Sequence, residues 1–167
     1  MIKIIFKYFI YVFISLFITF DSSFNNNTLV NDYYFTLEIP KIYLSVKGFK
    51  YNDNNNDVDK GIFLAKDYSF NKSSGSLVIA SHSGNSIISY FKHLDLLRIN
   101  DDIIINTEKD IFYYKVIDIY KIKKNGKFKY INDNNLIYLI TCDKNNNKKQ
   151  IVIKGKMENQ VKKSQFF

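Results

Sequence analysis

The sequence predicts a mostly-β domain, a barrel or sandwich of about eight strands with one or two short helices, preceded by an N-terminal transmembrane anchor. Three observations carry that expectation. From Tyr34 onward the apolar residues fall in short runs rich in Ile, Val, Tyr and Phe, bounded by Gly, Asn, Asp, Ser and Lys, as strands are. A single stretch, "SIISYFKHLDLL", spaces its apolar residues at the helical period. The chain also opens on a largely apolar run to Phe20, whose only charged residues are Lys3 and Lys7.

That opening run gives the first element, a signal-anchor over residues 1–24. Its uncharged part, Tyr8 to Phe20, is short for a span and would fit a signal-peptide core, but Asp21, Ser22, Ser23 and Phe24 make a poor cleavage site. Lys3 and Lys7 can snorkel to the cytoplasmic interface, which lets Ile2 to Phe20 span and leaves the remainder outside the cell. Residues 25–32 are mostly polar and read as a tether. Residues 33–167 form the domain.

"YFTLEIPKIYLSV" is two extended pieces separated by Pro40, and "YNDNNNDVDKG" is a polar loop with room for one helical turn. "GIFLA" and "SLVIAS" are short apolar runs of the kind that form buried strands. Ile87, Ile88, Phe91, Leu94 and Leu97 then predict a helix. "DDIIINT", "DIFYYKVIDIYKI", "NLIYLIT" and "QIVIKGKM" are four further strands, the first two joined by a hairpin turn at Glu108-Lys109-Asp110. Residues 125–135 and 143–149 are expected to be long polar loops.

At 167 residues and 46% apolar, the chain can bury a proper core and is not of disordered composition. Its formal charge of +8 is carried almost entirely by lysine, since Arg98 is the only arginine. Asn, Lys and Ile are abundant together, so the charge reads as a compositional bias and a solvated surface. No RNA-binding signature, zinc spacing or arginine cluster accompanies it, so neither a nucleic-acid partner nor a cofactor is expected. Calcium dependence is left open. One cysteine excludes an internal disulfide.

That cysteine, Cys142, ends the apolar run "LIYLIT", where a strand opens into a polar stretch. A buried structural thiol and a nucleophile both fit. Of the two histidines, His93 lies within the helical stretch and reads as surface or packing, whereas His82 ends the strand "LVIAS" and is followed by "SGNS". Two strand-end residues about sixty positions apart can meet if their strands are neighbours. A free thiol titrates near pH 8.5, so a nucleophilic cysteine needs help at neutral pH. An adjacent imidazole supplies it and can then protonate a leaving amine. The oxyanion formed needs a donor, which Lys149 or Gln150 could supply from a strand alongside.

"LVIASHSG", "YLITCD" and "KKQIVIKGKM" together resemble the sortase family, the membrane-anchored cysteine transpeptidases of Gram-positive bacteria. "LEIPKIYLSV", "DKGIFLA" and "YFKHLDLLRINDDIIINT" are similar to family segments in the same order, so the resemblance covers about Tyr34 to Met157. It implies an eight-stranded sortase-type β-barrel. It implies that Cys142 attacks the Thr–Gly bond of a C-terminal sorting signal such as Leu-Pro-x-Thr-Gly on secreted proteins. An amine from peptidoglycan or a pilin lysine would resolve the thioacyl enzyme. His82 would be the general acid/base, Thr141 and Ser81 would lie at substrate-binding positions, and the loop from Lys121 to Asn135 would wall the substrate groove.

The sequence departs from the family pattern at three positions. Ser81 stands where Gly is frequent, Tyr138 replaces the first threonine of the motif around the cysteine, and the family arginine is absent. Counting back from Gly155 puts Gln150 in the arginine's place, and a shift of one would put Lys149 there. The alternative is therefore a non-catalytic or impaired surface protein of the same fold. Other cysteine enzymes fit less well. Papain-like enzymes place Cys before His in the chain, caspases need a Gln-Ala-Cys signature, and L,D-transpeptidases keep the two residues close together.

Overall fold

Strands form wherever the chain alternates apolar and polar residues or stays apolar for several positions. The computed structural model describes residues 33–70, 74–125 and 128–163. The expected anchor and tether, residues 1–32, lie outside the described residues. Strand β1 (Phe35–Ile39) buries Phe35, Leu37 and Ile39 and leaves Thr36 and Glu38 part-exposed, the period-two pattern of a strand with one buried face. Pro40 ends it and opens a single 3-10 turn (Pro40–Ile42). Tyr43 then adopts a left-handed φ of 52° that reverses the chain into β2 (Leu44–Gly48).

Six more strands follow: β3 (Phe63–Leu64), β4 (Leu77–Ala80), β5 (Asp102–Asn106), β6 (Asp110–Lys123), β7 (Leu136–Asp143) and β8 (Asn146–Lys162). They join one sheet in the order β2-β1-β5-β6-β8-β7-β4-β3. All eight contribute side chains to one core, among them Leu37, Val46, Leu64, Ile79, Ile105, Val116, Leu139 and Ile153, so the sheet curls around that core as a nearly closed barrel. β7 is buried on both faces, which explains its unbroken apolar run. Ile137 and Leu139 point into the barrel. Leu136, Tyr138 and Ile140 join Val78 and Val152 in a second cluster on the other face of the sheet.

The stretch with helical spacing forms no α-helix. Its backbone bonds are of the i→i−3 kind, from Lys92 N–H to Ser89, Leu94 to Phe91 and Leu97 to Leu94, and one 3-10 turn spans Leu94–Leu96. Phe91, Leu94 and Leu97 are buried three apart, while Ile87 is exposed. A three-residue period suits 3-10 geometry. Residues 143–149 are likewise no long loop, because Asp143 pairs with Asn146 across a two-residue turn and β8 starts there. The Asp143 carboxylate accepts the Asn145 N–H at 3.0 Å, so the polar run is itself turn chemistry. The turn after β5 closes through Thr107, whose hydroxyl oxygen accepts the Asp110 N–H at 3.0 Å.

Gly155 lies between Val116 of β6 and Ile137 of β7, and a Cβ there would sit 2.7 Å from Ile137 Cγ2 and 3.3 Å from Ile103 Cδ1. Gly155→Val should therefore lower the unfolding free energy by about 1–3 kcal/mol through overpacking. Urea denaturation checks it, and an unchanged midpoint would mean that the core yields around the added carbons.

Candidate active site

One parallel pairing brings the two candidate catalytic residues to the same edge of the sheet. β4 and β7 run parallel in the register Leu77↔Ile137 to Ala80↔Ile140. Both therefore leave the ladder at the same end. The Ser81 N–H continues the pairing by donating to the Ile140 carbonyl at 3.2 Å, and the Thr141 hydroxyl donates to the Ser81 carbonyl at 2.8 Å. His82 lies two residues past Ala80 and Cys142 two residues past Ile140, so both candidate residues sit at this end of the β4–β7 ladder.

β8 flanks β7 on its other side, and there Gln150 is the direct cross-strand partner of Cys142. Directly opposed residues of an antiparallel pair project on one face. Lys149 pairs only with Lys123 of β6, and it is exposed. Cys142 and Gln150 thus face each other across β7 and β8, and His82 follows β4 on the other side of β7; all three are partly exposed.

Ser81 and Thr141 are both buried beneath this edge. The Ser81 hydroxyl donates to the Gly61 carbonyl at 3.0 Å, and the Thr141 hydroxyl is committed to Ser81. Together they staple three segments of backbone. The His82 carbonyl accepts the Phe91 N–H at 3.1 Å. The Lys144 ammonium donates to the Lys92 carbonyl, tying the β7–β8 turn to the connection after His82.

Asp143, next to the cysteine, faces the opposite side of the strand and is buried. Its carboxylate pairs with the Lys121 ammonium at 2.8 Å. That bond, helped by the Asn145 N–H and opposed by burial, holds the Asp143 carboxyl below the usual carboxylate range.

Cys142 continues the row Tyr138, Ile140 on the outer face, where the second apolar cluster lies. The expected wall beginning at Lys121 begins later, since β6 extends to Lys123 and leaves residues 124–135 as the connection. The Phe128 ring meets Tyr138 edge-on at 5.4 Å and stacks on Tyr130 at 5.5 Å. Tyr138, the departure from the family's threonine, accepts the Ile131 N–H on its hydroxyl at 3.3 Å and so anchors the wall. Ser76 clasps the far end, donating to the Ile131 carbonyl at 2.6 Å and accepting the Asp133 N–H at 3.0 Å. Gly75 packs against it at a φ of +77°, where a Cβ would lie 1.9 Å from Asn132 Oδ1. A cavity of about 440 Å³ lies between wall and sheet, lined by Tyr120, Tyr130, Tyr138, Asp118, Lys129 and Lys154 among others. Burial raises the phenol of Tyr138 above its ordinary range.

His93 and Arg98 stand outside this arrangement. His93 is exposed at the start of the second 3-10 turn. The Arg98 guanidinium donates to the Asp95 and Leu97 carbonyls within its own loop, so it does not replace the absent arginine. Among the described residues no group of three or more His, Cys, Asp or Glu is placed to hold a metal. One residue at the site was not singled out by the sequence. His82 Nε2 lies 2.9 Å from Asp59 Oδ1, and Asp59 comes from a loop in which nothing distinguishes it from its acidic and amide neighbours.

A profile of the sortase domain matches residues 37–158. A search among curated proteins finds no match. Among solved structures the fold is similar to that of sortase A from Listeria monocytogenes, with a TM-score of 0.67 at 19% identity over 81% of this chain and 93% of that one. Sortase E1 from Streptomyces coelicolor, solved with a tripeptide in its active site, gives a TM-score of 0.64 at 22% identity, covering 81% and 94% of the two chains. Sortase C-3 from Streptococcus pneumoniae gives 0.67 at 22% identity, covering 79% and 65%.

Thr141→Val should cost about 1–3 kcal/mol, because it leaves the buried Ser81 carbonyl without its donor. Chemical denaturation reads this directly, and a neutral substitution would mean that the staple is dispensable. The Asp143–Lys121 pair gives a pH dependence of definite sign. Because the folded-state pKa is depressed, its stabilisation is complete above the unfolded carboxyl pKa of about 3.9 and is lost as pH falls through the folded value. Lys121→Met should therefore narrow its stability gap to the parent chain as melts are moved from pH 6 towards pH 3. A gap independent of pH would contradict the pairing.

Proposed function

Because the chain belongs to the sortase family, we propose that it is a sortase-type cysteine transpeptidase acting on secreted proteins that carry a C-terminal sorting signal of the Leu-Pro-x-Thr-Gly kind. The observation that carries this reading is the parallel β4–β7 register, continued by the Thr141-to-Ser81 bond of 2.8 Å, which supports a pairing of His82 with the only cysteine. His82 takes the thiol proton as Cys142 Sγ attacks the threonine carbonyl carbon. The tetrahedral intermediate collapses as His82 returns that proton to the departing glycine nitrogen; the C–N bond breaks and a thioester remains. An amine of peptidoglycan or of a pilin lysine then attacks the thioester, its surplus proton passing to His82 and on to the released thiolate. The cavity lined by Tyr120, Tyr130 and Tyr138 holds the signal peptide in extended form.

Gln150 is the donor on the oxyanion side. It offers hydrogen bonds from its amide but no charge, where an arginine offers a charged fork. Loss of one oxyanion donor typically costs about 2.7–4 kcal/mol in other enzymes. A neutral amide in place of a guanidinium retains part of that, so the enzyme works slowly. The absent arginine also favours a second reading, a sortase-fold surface protein with impaired or no catalysis. The apolar N-terminal run with Lys3 and Lys7 supports a single-pass anchor with the domain outside the cell.

Incubation of the chain with a panel of sorting-signal peptides and an amine, read by mass spectrometry, separates the two readings. Catalysis is expected to give an acyl adduct on Cys142 and a transfer product, both lost in Cys142→Ala with the fold retained. Absence of adduct and product with every peptide would favour the non-catalytic reading. Gln150→Ala should lower turnover by at least about tenfold, in line with a lost donor, and Lys149→Ala should matter less. The reverse ranking would give the role to lysine. Cell fractionation with N-terminal sequencing tests the anchor, and a mature chain found in the medium starting near Asn25 would show a cleaved signal instead.

A further inference from the structure

Asp59 stands on a loop that is pinned at both ends. The buried side chain of Asn56 takes the place of a strand beside β3: its Oδ1 accepts the Leu64 N–H at 2.7 Å and its Nδ2 donates to the Leu64 carbonyl at 3.1 Å. The Asp57 carbonyl accepts the N–H groups of Lys60 and Gly61, both at 3.0 Å, and the Asp57 carboxylate accepts the Asp59 N–H at 2.9 Å. Past Asp59, the Gly61 carbonyl receives the hydroxyl of Ser81, the residue immediately before His82. The backbone that presents Asp59 is therefore bonded to the backbone that presents His82. The result is the 2.9 Å contact between Asp59 Oδ1 and His82 Nε2.

An exposed ion pair adds little to stability, and this carboxylate is 78% exposed. Three separate bonding arrangements nevertheless fix its loop. The chemistry gives the contact a role. An ionised carboxylate only accepts hydrogen bonds, so Nε2 must carry the proton. In the neutral ring, Nδ1 is then the one nitrogen able to take a proton. Cysteine and serine nucleophiles work best when a third group orients the base in this way.

We propose that Asp59 is a positioning residue for the transpeptidation: it holds the His82 imidazole with Nε2 protonated, so that Nδ1 exchanges the proton with Cys142 and with the amines, and it balances the imidazolium formed in between. The proposal rests on the reading of Cys142 and His82 as nucleophile and base. The proton leaves Sγ for Nδ1 and goes from Nδ1 to the departing nitrogen, while the Nε2 proton stays in its bond to Asp59.

Two measurements on the full-length chain test it. The first is independent of activity: 15N NMR of the histidine ring nitrogens in a Cys142→Ala background, with His93→Gln removing the only other histidine. The parent should show the neutral His82 ring as the Nε2–H tautomer, and Asp59→Ala should give a mixture. Identical tautomer ratios in the two would overturn the proposal. The second is kinetic. Asp59→Ala should lower kcat by about tenfold or more, a fraction of the 10²–10⁴ that general acid–base catalysis contributes. KM should stay within about twofold, and Asp59→Glu should recover part of the loss. An unchanged kcat, or a loss confined to KM, would overturn it. A parent chain that forms no acyl adduct while its tautomer still answers to Asp59 would defeat the transpeptidase reading and leave the hold on the imidazole established.

Discussion

The parallel ladder between β4 and β7 is the constraint from which the site follows. Every other pairing in the sheet is antiparallel and would send neighbouring strands out at opposite edges. In this one, two strands run out toward the same edge, so that His82 just past β4 and Cys142 near the end of β7 lie at one end of the ladder. The register Ala80↔Ile140 decides which residues those are. A slip of one would turn Cys142 to the interior face and Asp143 to the groove. The buried hydroxyls of Ser81 and Thr141 hold the register where the ladder ends and backbone bonding alone would fray.

Much of the fold is legible in the sequence. The eight apolar runs are eight strands, and period-two burial in β1 and double-sided burial in β7 follow from their residue patterns. Two local misreadings have local causes. Apolar residues at 91, 94 and 97 satisfy an α-helical stripe and a 3-10 one alike, and short-range bonding selects the second. Asparagines after Cys142 suggest a loop, yet an aspartate that bonds two residues ahead makes the same stretch a tight turn. At the site, the strand-end positions of His82 and Cys142 are visible in the sequence, because each closes an apolar run. Asp59 is not, since its importance lies in contacts to Leu64 and Ser81 made by its neighbours Asn56 and Gly61. The buried bonding of Ser81 and Thr141 is equally a matter of tertiary packing.

The charge around the cysteine is distributed by strand alternation. Asp143 would oppose a thiolate if it shared the face of Cys142, but it projects to the other side and is matched by Lys121. Gln150 shares the face and is neutral, while the cationic Lys149 is its sequence neighbour but pairs with Lys123 of β6. The residue that faces Cys142 across the sheet therefore offers hydrogen bonds and no fixed positive charge.

A working pair of His82 and Cys142 would leave the thiol reactive at neutral pH. With one cysteine in the chain, alkylation of Cys142 by iodoacetamide at neutral pH reports on it without any substrate. His82→Gln should slow alkylation severalfold and His93→Gln should leave the rate unchanged, both variants remaining folded. Equal rates in the parent and in His82→Gln would contradict the pairing.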